Sequence, residues 1–117
     1  MVQEDGALHQ EREEAKRIED VDVAALAEEL MLDESQVLHL LEVYEKNMLQ
    51  NIILLQEAIA DNDLSKIEYV AHSIKGSSSN FRMENVVTLA YAIEKAAHEK
   101  EEGFCYEAYC SKIEHAL

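Results

Sequence analysis

The sequence predicts an all-α protein, an antiparallel up-down four-helix bundle with an additional short N-terminal helix. The length of 117 residues leaves room for one domain. Average usage would give about 8 Gly and 6 Pro, but this chain has 3 Gly and no Pro, so little in it interrupts helices. Four stretches carry apolar residues at spacings of three and four, the pattern of amphipathic helices packed around a shared core.

The N-terminal part divides into a charged segment and a short helix. Residues 1–20 are rich in charge and hold only isolated apolar side chains, so we expect a linker or a frayed helix there, with the bundle over residues 21–117. Asp22 has the chemistry of an N-cap, and Val21 and Leu26 are spaced as a hydrophobic staple. A short helix over residues 22–31 follows from these signals.

The longest helix begins after Asp33, where Gln36 can reach back to the amide of the capping residue. Seven apolar residues then form one stripe about seven turns long: Val37, Leu41, Tyr44, Met48, Ile52, Leu55 and Ile59. Asx side chains satisfy free backbone amides and tolerate turn geometry, so the run of them at residues 61–63 ends this helix and caps the next.

Two further amphipathic helices and a short last helix complete the bundle. The third helix has a buried face formed by Ile67, Val70, Ala71, Ile74, Ser78 and Phe81. After a break at residues 80–83, the fourth helix presents Val86, Leu89, Ala90, Ile93 and Ala97, and we expect Gly103 to terminate it. The last helix carries Phe104, Tyr106, Ala108, Tyr109, Ile113 and Leu117.

The charge balance excludes whole classes of partner. Ten Lys and Arg against 25 Asp and Glu give a net charge of −15, so nucleic acid and anionic membrane surfaces are repelled. No apolar run approaches the roughly 20 residues that span a bilayer, and the acidic N-terminus does not resemble a secretory signal. Cys105 and Cys110 fit neither a metal nor a redox motif. We expect a cytoplasmic monomer with free thiols.

The residues most suited to chemistry lie on the outer face of the third helix. His72 is about 150° from the centre of the apolar arc, so its ring points away from the bundle. Lys75, Gly76, Ser79 and Glu68 share this outer strip. Glycine inside a helix costs about 1 kcal/mol relative to alanine, and the local pattern calls for no kink. We interpret Gly76 as a gap that lets another protein approach the imidazole.

This arrangement suits phosphoryl transfer. An exposed imidazole is largely neutral at neutral pH, so one ring nitrogen has a free lone pair for attack on phosphorus. Phosphoryl transfer needs mainly positioning and charge neutralisation, and Lys75 supplies a cation beside the incoming oxygens. The same residues have an alternative interpretation without chemistry. In it, His72 and Lys75 are ordinary solvated side chains, and Gly76 and the small serines allow a close helix crossing.

The segment His72-Ser73-Ile74-Lys75-Gly76-Ser77-Ser78 resembles the H-x-[LI]-K-G-[SAG]-[SA] signature of histidine-containing phosphotransfer domains. Asn80-Phe81 and the run from Leu89 to Glu94 extend the likeness, which covers roughly residues 33–115. The resemblance implies that His72 is the phosphoacceptor and that Lys75 and Gly76 flank it. It also implies a partner, the receiver domain of a response regulator or hybrid sensor histidine kinase, whose acidic pocket supplies Mg²⁺, so the chain needs no cofactor.

Two positions leave their roles open. Arg82 stands where many family members have glycine, which leaves open a different turn there and a second cation near the site. Glu94 occupies the position at which the phosphotransfer domains of chemotaxis histidine kinases use a carboxylate to hydrogen-bond the histidine. A solvated or helix-capping charge is the alternative for Glu94. The auxiliary candidates for the site are therefore Ser79, Arg82, Glu94 and Glu68. The candidates for an exposed rim at which a partner docks are Tyr69, Ile53 and Met83.

Other functions fit less well. A di-iron bundle needs Glu three residues before His on two helices, which is not found at His39, His72, His98 or His115. No two of these histidines have the spacing of a helical zinc motif, and no glycine-rich nucleotide loop exists. The sequence predicts no metal site and no autonomous kinase activity. A helical interaction module without phosphotransfer, or the phosphoacceptor domain of a chemotaxis-type kinase, remains the alternative.

Overall fold

The computed structural model describes residues 17–117, which are helical and contain no β-strand in that range. A 3₁₀ turn at Ile18–Asp20 precedes five α-helices: α1 Val23–Leu30, α2 Glu34–Ala60, α3 Leu64–Ser79, α4 Glu84–His98 and α5 Tyr106–His115. The predicted all-α bundle with a short N-terminal helix is confirmed. Most of the segment predicted as a charged linker, residues 1–16, lies outside the described residues.

The four longer helices pack in a closed order. α2 contacts α3, α3 contacts α4, α4 contacts α5, and α5 returns to α2, while α1 packs against α2. The connections are short, so neighbouring helices run antiparallel. The most extensive contact joins α3 to α4. The core is almost wholly apolar, and its largest fully buried side chains include Met48, Leu55, Ile67, Ile74, Met83, Ile93 and Ile113.

The predicted helix starts are confirmed by their side-chain caps. Asp22 Oδ1 accepts a hydrogen bond from the Ala25 amide at 3.0 Å, and Asp63 Oδ1 accepts one from the Lys66 amide at 3.2 Å. At the start of α2, the Asp33 amide donates to Gln36 Oε1 at 2.8 Å. Each cap satisfies an amide that has no partner within its helix.

The helix ends share one backbone motif that composition alone does not suggest. Helices α1 to α4 are each followed by a non-glycine residue in the left-handed region, with φ between 53° and 59°: Met31, Asn62, Arg82 and Lys100. At each of these turns, two amides bond back to carbonyls of the last helical turn, the Schellman arrangement. The left-handed conformation costs an L-residue roughly 1–2 kcal/mol, and the closed hydrogen bonds offset this cost.

The Schellman motif explains an error in the predicted end of α4. We expected Gly103 to terminate this helix, but α4 ends at His98. Lys100 takes φ 54°, and the Glu101 amide bonds to the Ala96 carbonyl at 2.9 Å, which closes the helix before Gly103 is reached. Gly103 itself has φ 78° and lies in the connection to α5.

Two residues of the turn between α3 and α4 also differ from expectation. Phe81 was expected on the third helix, but α3 ends at Ser79. Phe81 is nevertheless buried, and the centre of its ring lies 4.8 Å from the centre of the Tyr44 ring. Met83 was expected in an exposed docking rim, and this is wrong, because its side chain is fully buried. The Met83 amide bonds to the Ser78 carbonyl at 3.2 Å, and the backbone reversal at Arg82 carries the chain back to the core.

A buried hydroxyl pair joins α2 to the helix that carries His72. The hydroxyl groups of Tyr44 and Ser78 lie 2.6 Å apart, and both residues are buried. Ser78 is the only buried polar residue in the core of the described chain. A buried hydroxyl without a partner is costly, so this bond fixes how α3 lies against α2.

The pair gives a stability prediction. Tyr44→Phe and Ser78→Ala should each lower the free energy of unfolding by about 1–2 kcal/mol, because each leaves the other hydroxyl buried without its partner. The double variant should be more stable than the sum of the two losses implies. Urea unfolding of the four proteins measures this coupling. Strict additivity would show that the bond contributes nothing.

Candidate functional site

The outer face of α3 carries His72, whose side chain is 66% exposed. The same helical turn buries Ala71 and Ile74 in the core, and the helical period therefore turns His72 outward. The imidazole is thus held on a rigid element rather than on a loop. A group approaching from solvent can reach it.

A carboxylate from the neighbouring helix binds this ring. Glu94, on α4, places Oε2 at 2.7 Å from His72 Nδ1, and its other oxygen, Oε1, lies 2.7 Å from Lys75 Nζ. The Glu94 side chain is only 17% exposed. Of the two alternatives for this residue, the structure contains the hydrogen bond to the histidine and not a solvated charge. One carboxylate therefore joins both chemical groups of the signature motif.

The pKa of Glu94 reflects these contacts. Burial raises the pKa of this carboxyl. Hydrogen bonds from Lys75 and His72, together with their charges, lower the pKa by more than burial raises it, so the pKa of Glu94 lies below its ordinary value of 4.5. Glu94 is therefore ionised at neutral pH and acts only as an acceptor.

The ionised carboxylate decides which ring nitrogen of His72 is available. Because Glu94 can only accept, the proton of the neutral imidazole is assigned to Nδ1, which donates to Oε2. Nε2 then carries the lone pair, and no other described residue hydrogen-bonds it. The arrangement presents an oriented nucleophilic nitrogen to solvent.

Lys75 is held from two sides. Besides its ion pair with Glu94, its ammonium lies 5.3 Å from the centre of the Tyr91 ring. Its side chain is 29% exposed, so the cation is partly covered. Sequence reasoning missed Tyr91, although its position one turn before Glu94 on the same helix face is a usable signal. A cation over an aromatic face is attracted by the ring quadrupole.

Gly76 has no packing partner inside the protein. A Cβ atom built at this position would meet nothing within 4 Å, and the residue is exposed. A close helix crossing therefore does not account for the glycine. Ser79 shares the strip, but its hydroxyl donates to the Gly76 carbonyl at 2.9 Å and so serves its own helix rather than His72.

Arg82 and Glu68, the remaining auxiliary candidates, bond elsewhere. Arg82 adopts the left-handed conformation that a glycine would take at this turn, so the turn is kept, and its guanidinium pairs with Glu29 of α1. Glu68 Oε2 lies 3.0 Å from Nδ1 of His98 on α4. Neither residue is bonded to His72. Sequence reasoning considered His98 only as a metal ligand and missed this pair.

The remaining surface features are simple to place. Tyr69 is 73% and Ile53 54% exposed, and their role in docking stays a prediction. Within residues 17–117, no cluster of three or more His, Cys, Asp or Glu side chains is arranged to hold a metal ion. None of the helices in that range has the length and apolar character required to cross a membrane.

Comparison with protein families agrees with this geometry. The family model for the Hpt domain matches residues 39–116, well over half of the chain. The chain belongs to the Hpt domain family. Searches of curated proteins and of solved structures gave no match.

Family membership assigns a general role. Hpt domains have a phosphotransfer role in two-component signalling; they are phosphotransfer modules rather than autonomous enzymes and generally interact with receiver domains of response regulators. In this Hpt domain, the match includes all of α3 and α4, and with them the Glu94 carboxylate and its two partners.

The low pKa of Glu94 predicts how the site affects stability with pH. A carboxyl whose pKa is lower in the folded state stabilises the protein above its ordinary pKa, and this stabilisation is lost as pH falls through the folded value. Glu94→Gln should therefore lower the free energy of unfolding by about 1 kcal/mol at pH 7, and the difference should shrink between pH 5 and pH 3. Urea unfolding across this range measures it.

Glu45→Gln is the matched control, because Glu45 is exposed on α2 and makes no ion pair within residues 17–117. Its difference from the unmodified protein should change little over the same pH range. If Glu94→Gln behaves like Glu45→Gln, the contacts of Glu94 contribute no stability.

Proposed function

We propose that this protein is a phosphorelay intermediate in which His72 Nε2 accepts a phosphoryl group from the aspartyl phosphate of a receiver domain, or from a histidine kinase, and passes it to the receiver of a response regulator. The single observation that carries the proposal is the 2.7 Å bond between Nδ1 of the exposed His72 ring and the Glu94 carboxylate, because this bond assigns the proton of a neutral imidazole to Nδ1 and the lone pair to Nε2. Family membership supports the reaction class.

The proposed step balances without a further reactant. The lone pair of His72 Nε2 forms a bond to phosphorus, and the bond from phosphorus to the donor aspartate oxygen breaks with its electrons remaining on the carboxylate. The positive charge gained by the ring is delocalised to Nδ1, whose proton points at the Glu94 carboxylate. Transfer onward to an acceptor aspartate is the same step reversed.

The charges around His72 support this chemistry in an acidic chain. The Lys75 ammonium forms an ion pair with Glu94, the carboxylate that binds His72, so the negative charge of Glu94 is neutralised close to the ring. A phosphoryl group with its own negative charge meets less repulsion there. We further propose that Mg²⁺ belongs to the acidic pocket of the receiver and that this chain brings no cofactor of its own.

The phosphoacceptor is tested by labelling. Incubation with a phosphorylated receiver domain or an autophosphorylated kinase should place an acid-labile, base-stable phosphate on the protein, and His72→Gln should abolish it. His39→Gln is the matched control, since His39 is exposed on α2, away from the signature motif. Label that persists in His72→Gln assigns the phosphate elsewhere. A module that acts by binding alone would keep its signalling output in His72→Gln.

Substitutions at Gly76 distinguish an effect on folding from an effect on the approach of a partner. Gly76→Ala should raise the free energy of unfolding by about 0.5–1 kcal/mol, because the added Cβ contacts nothing in the free protein. Gly76→Gln should leave the fold intact but lower the rate of phosphoryl transfer by about tenfold or more, because its side chain occupies the space through which the receiver must approach, and about 1.4 kcal/mol of lost transition-state contact suffices.

Ser65→Gln is the matched control for bulk, because Ser65 is exposed on α3 almost two turns before His72. Thermal unfolding and single-turnover transfer rates on all variants measure the two effects. Equal rates for Gly76→Gln and Ser65→Gln would remove partner access as the reason for the glycine.

A further inference from the structure

A second imidazole–carboxylate pair lies beside the first with the helices exchanged. In the first pair the histidine is on α3 and the carboxylate on α4, whereas in the second Glu68 is on α3 and His98 on α4, with His98 Nδ1 3.0 Å from Glu68 Oε2. Glu68 precedes His72 by four residues, and His98 follows Glu94 by four. The two pairs therefore occupy successive turns of the seam between α3 and α4.

The spacing of Glu68 makes it a competitor for His72. Side chains four residues apart on a helix are neighbours, so Glu68 and His72 can meet on the surface of α3. A Glu68 carboxylate released from α4 would reach the ring of His72 from the side opposite Gly76 and would favour a proton on Nε2 in addition to the one that Nδ1 donates to Glu94. That contact would block the nitrogen that the proposed function needs, and its negative charge would repel the phosphoryl group.

We propose that His98 is a positioning residue for the phosphoacceptor: its bond to Glu68 holds this carboxylate on the α4 side, away from His72, and so keeps Nε2 free of a proton. The inference rests on the proposed function of His72. It gives a role to the Glu68–His98 pair, which touches no group of the reacting site.

His98 is poorly placed to accept phosphate itself, although its ring is 73% exposed. It is the last residue of α4, where the helix dipole is negative, and Glu99, Glu101 and Glu102 follow it. Glu68 makes no ion pair to a Lys or Arg within residues 17–117, unlike Glu94, which pairs with Lys75. With the Glu68 carboxylate already bound and no Lys or Arg paired with it, the surroundings of His98 disfavour the arrival of a second anion such as a phosphoryl group.

The first test reads the proton on His72 directly and needs no partner protein. Nitrogen-15 NMR of the histidine rings should show His72 with its proton on Nδ1 in the unmodified protein. His98→Ala should raise the fraction of His72 rings that carry a proton on Nε2 as well as on Nδ1, because Glu94 still accepts the Nδ1 proton. His98→Ala combined with Glu68→Gln should return to the original spectrum, because a neutral amide competes weakly for the ring. His98→Asn, whose amide can still donate to Glu68, should resemble the unmodified protein.

The second test measures transfer from a phosphorylated receiver domain. His98→Ala should slow phosphorylation of His72 by about twofold, the size of effect expected from one side-chain pair on a helix surface. The double variant and His98→Asn should both recover most of the original rate. Thermal unfolding of each variant identifies any that lose the fold, and the double variant, which also lacks the His98–Glu68 bond, controls for lost stability.

The outcomes separate the two proposals. If the unmodified protein takes up no phosphate on His72, the proposed function fails, whatever the NMR spectra show. If His72 is phosphorylated but the protonation of Nε2 and the transfer rate are unchanged in His98→Ala, the role of His98 is wrong while the function stands. A double variant as impaired as His98→Ala would also overturn the inference, because Glu68 would then not be the cause of the loss.

Discussion

The geometry of the site depends on one carboxylate held between two helices. Glu94 binds the imidazole of His72 and the ammonium of Lys75, both at 2.7 Å, and it comes from a different helix from its partners. The extensive packing of α3 on α4 sets the distance that makes both contacts possible. Any change that slides one helix along the other would release the ring, the cation and the assigned tautomer together. The core of the bundle therefore acts on the chemistry through this single residue.

The acidic charge of the chain is partly compensated beside His72. The net charge is −15, but Glu94, the carboxylate that binds the ring, is paired with Lys75, and Glu29 is paired with Arg82 at the turn after α3. Glu68 binds His98, which compensates its charge only when that imidazole is protonated. Exposed ion pairs add little to stability, so we infer that their main effect here is on the local potential and on where the side chains point.

The sequence predicted what depends on local periodicity and capping, and failed where the answer depends on tertiary contact. The outward direction of His72 follows from the helical period, and the start of α3 follows from the oxygen of Asp63. The end of α4 was not predicted correctly from the sequence, because Lys100 adopts a left-handed conformation that is usually expected of glycine. The family resemblance offered the contact between Glu94 and His72 as one of two alternatives. Deciding between them required the register of α4 against α3, which is fixed by the packing of buried side chains and is not visible in either helix alone.

The proposed function requires a second protein to complete the site. His72 is 66% exposed on a helix surface, and nothing within 4 Å would contact a side chain added at Gly76. Phosphoryl transfer requires positioned charges and exclusion of water around the reacting oxygens, and an exposed ring on a convex helix supplies only the nucleophile, one cation and a fixed tautomer. Under the proposed function, the partner must therefore supply the remaining groups of the reaction site, so the rate of transfer depends on how closely its surface can approach. Gly76, one turn from the proposed phosphoacceptor, then lowers helix stability in the free protein and favours the complex.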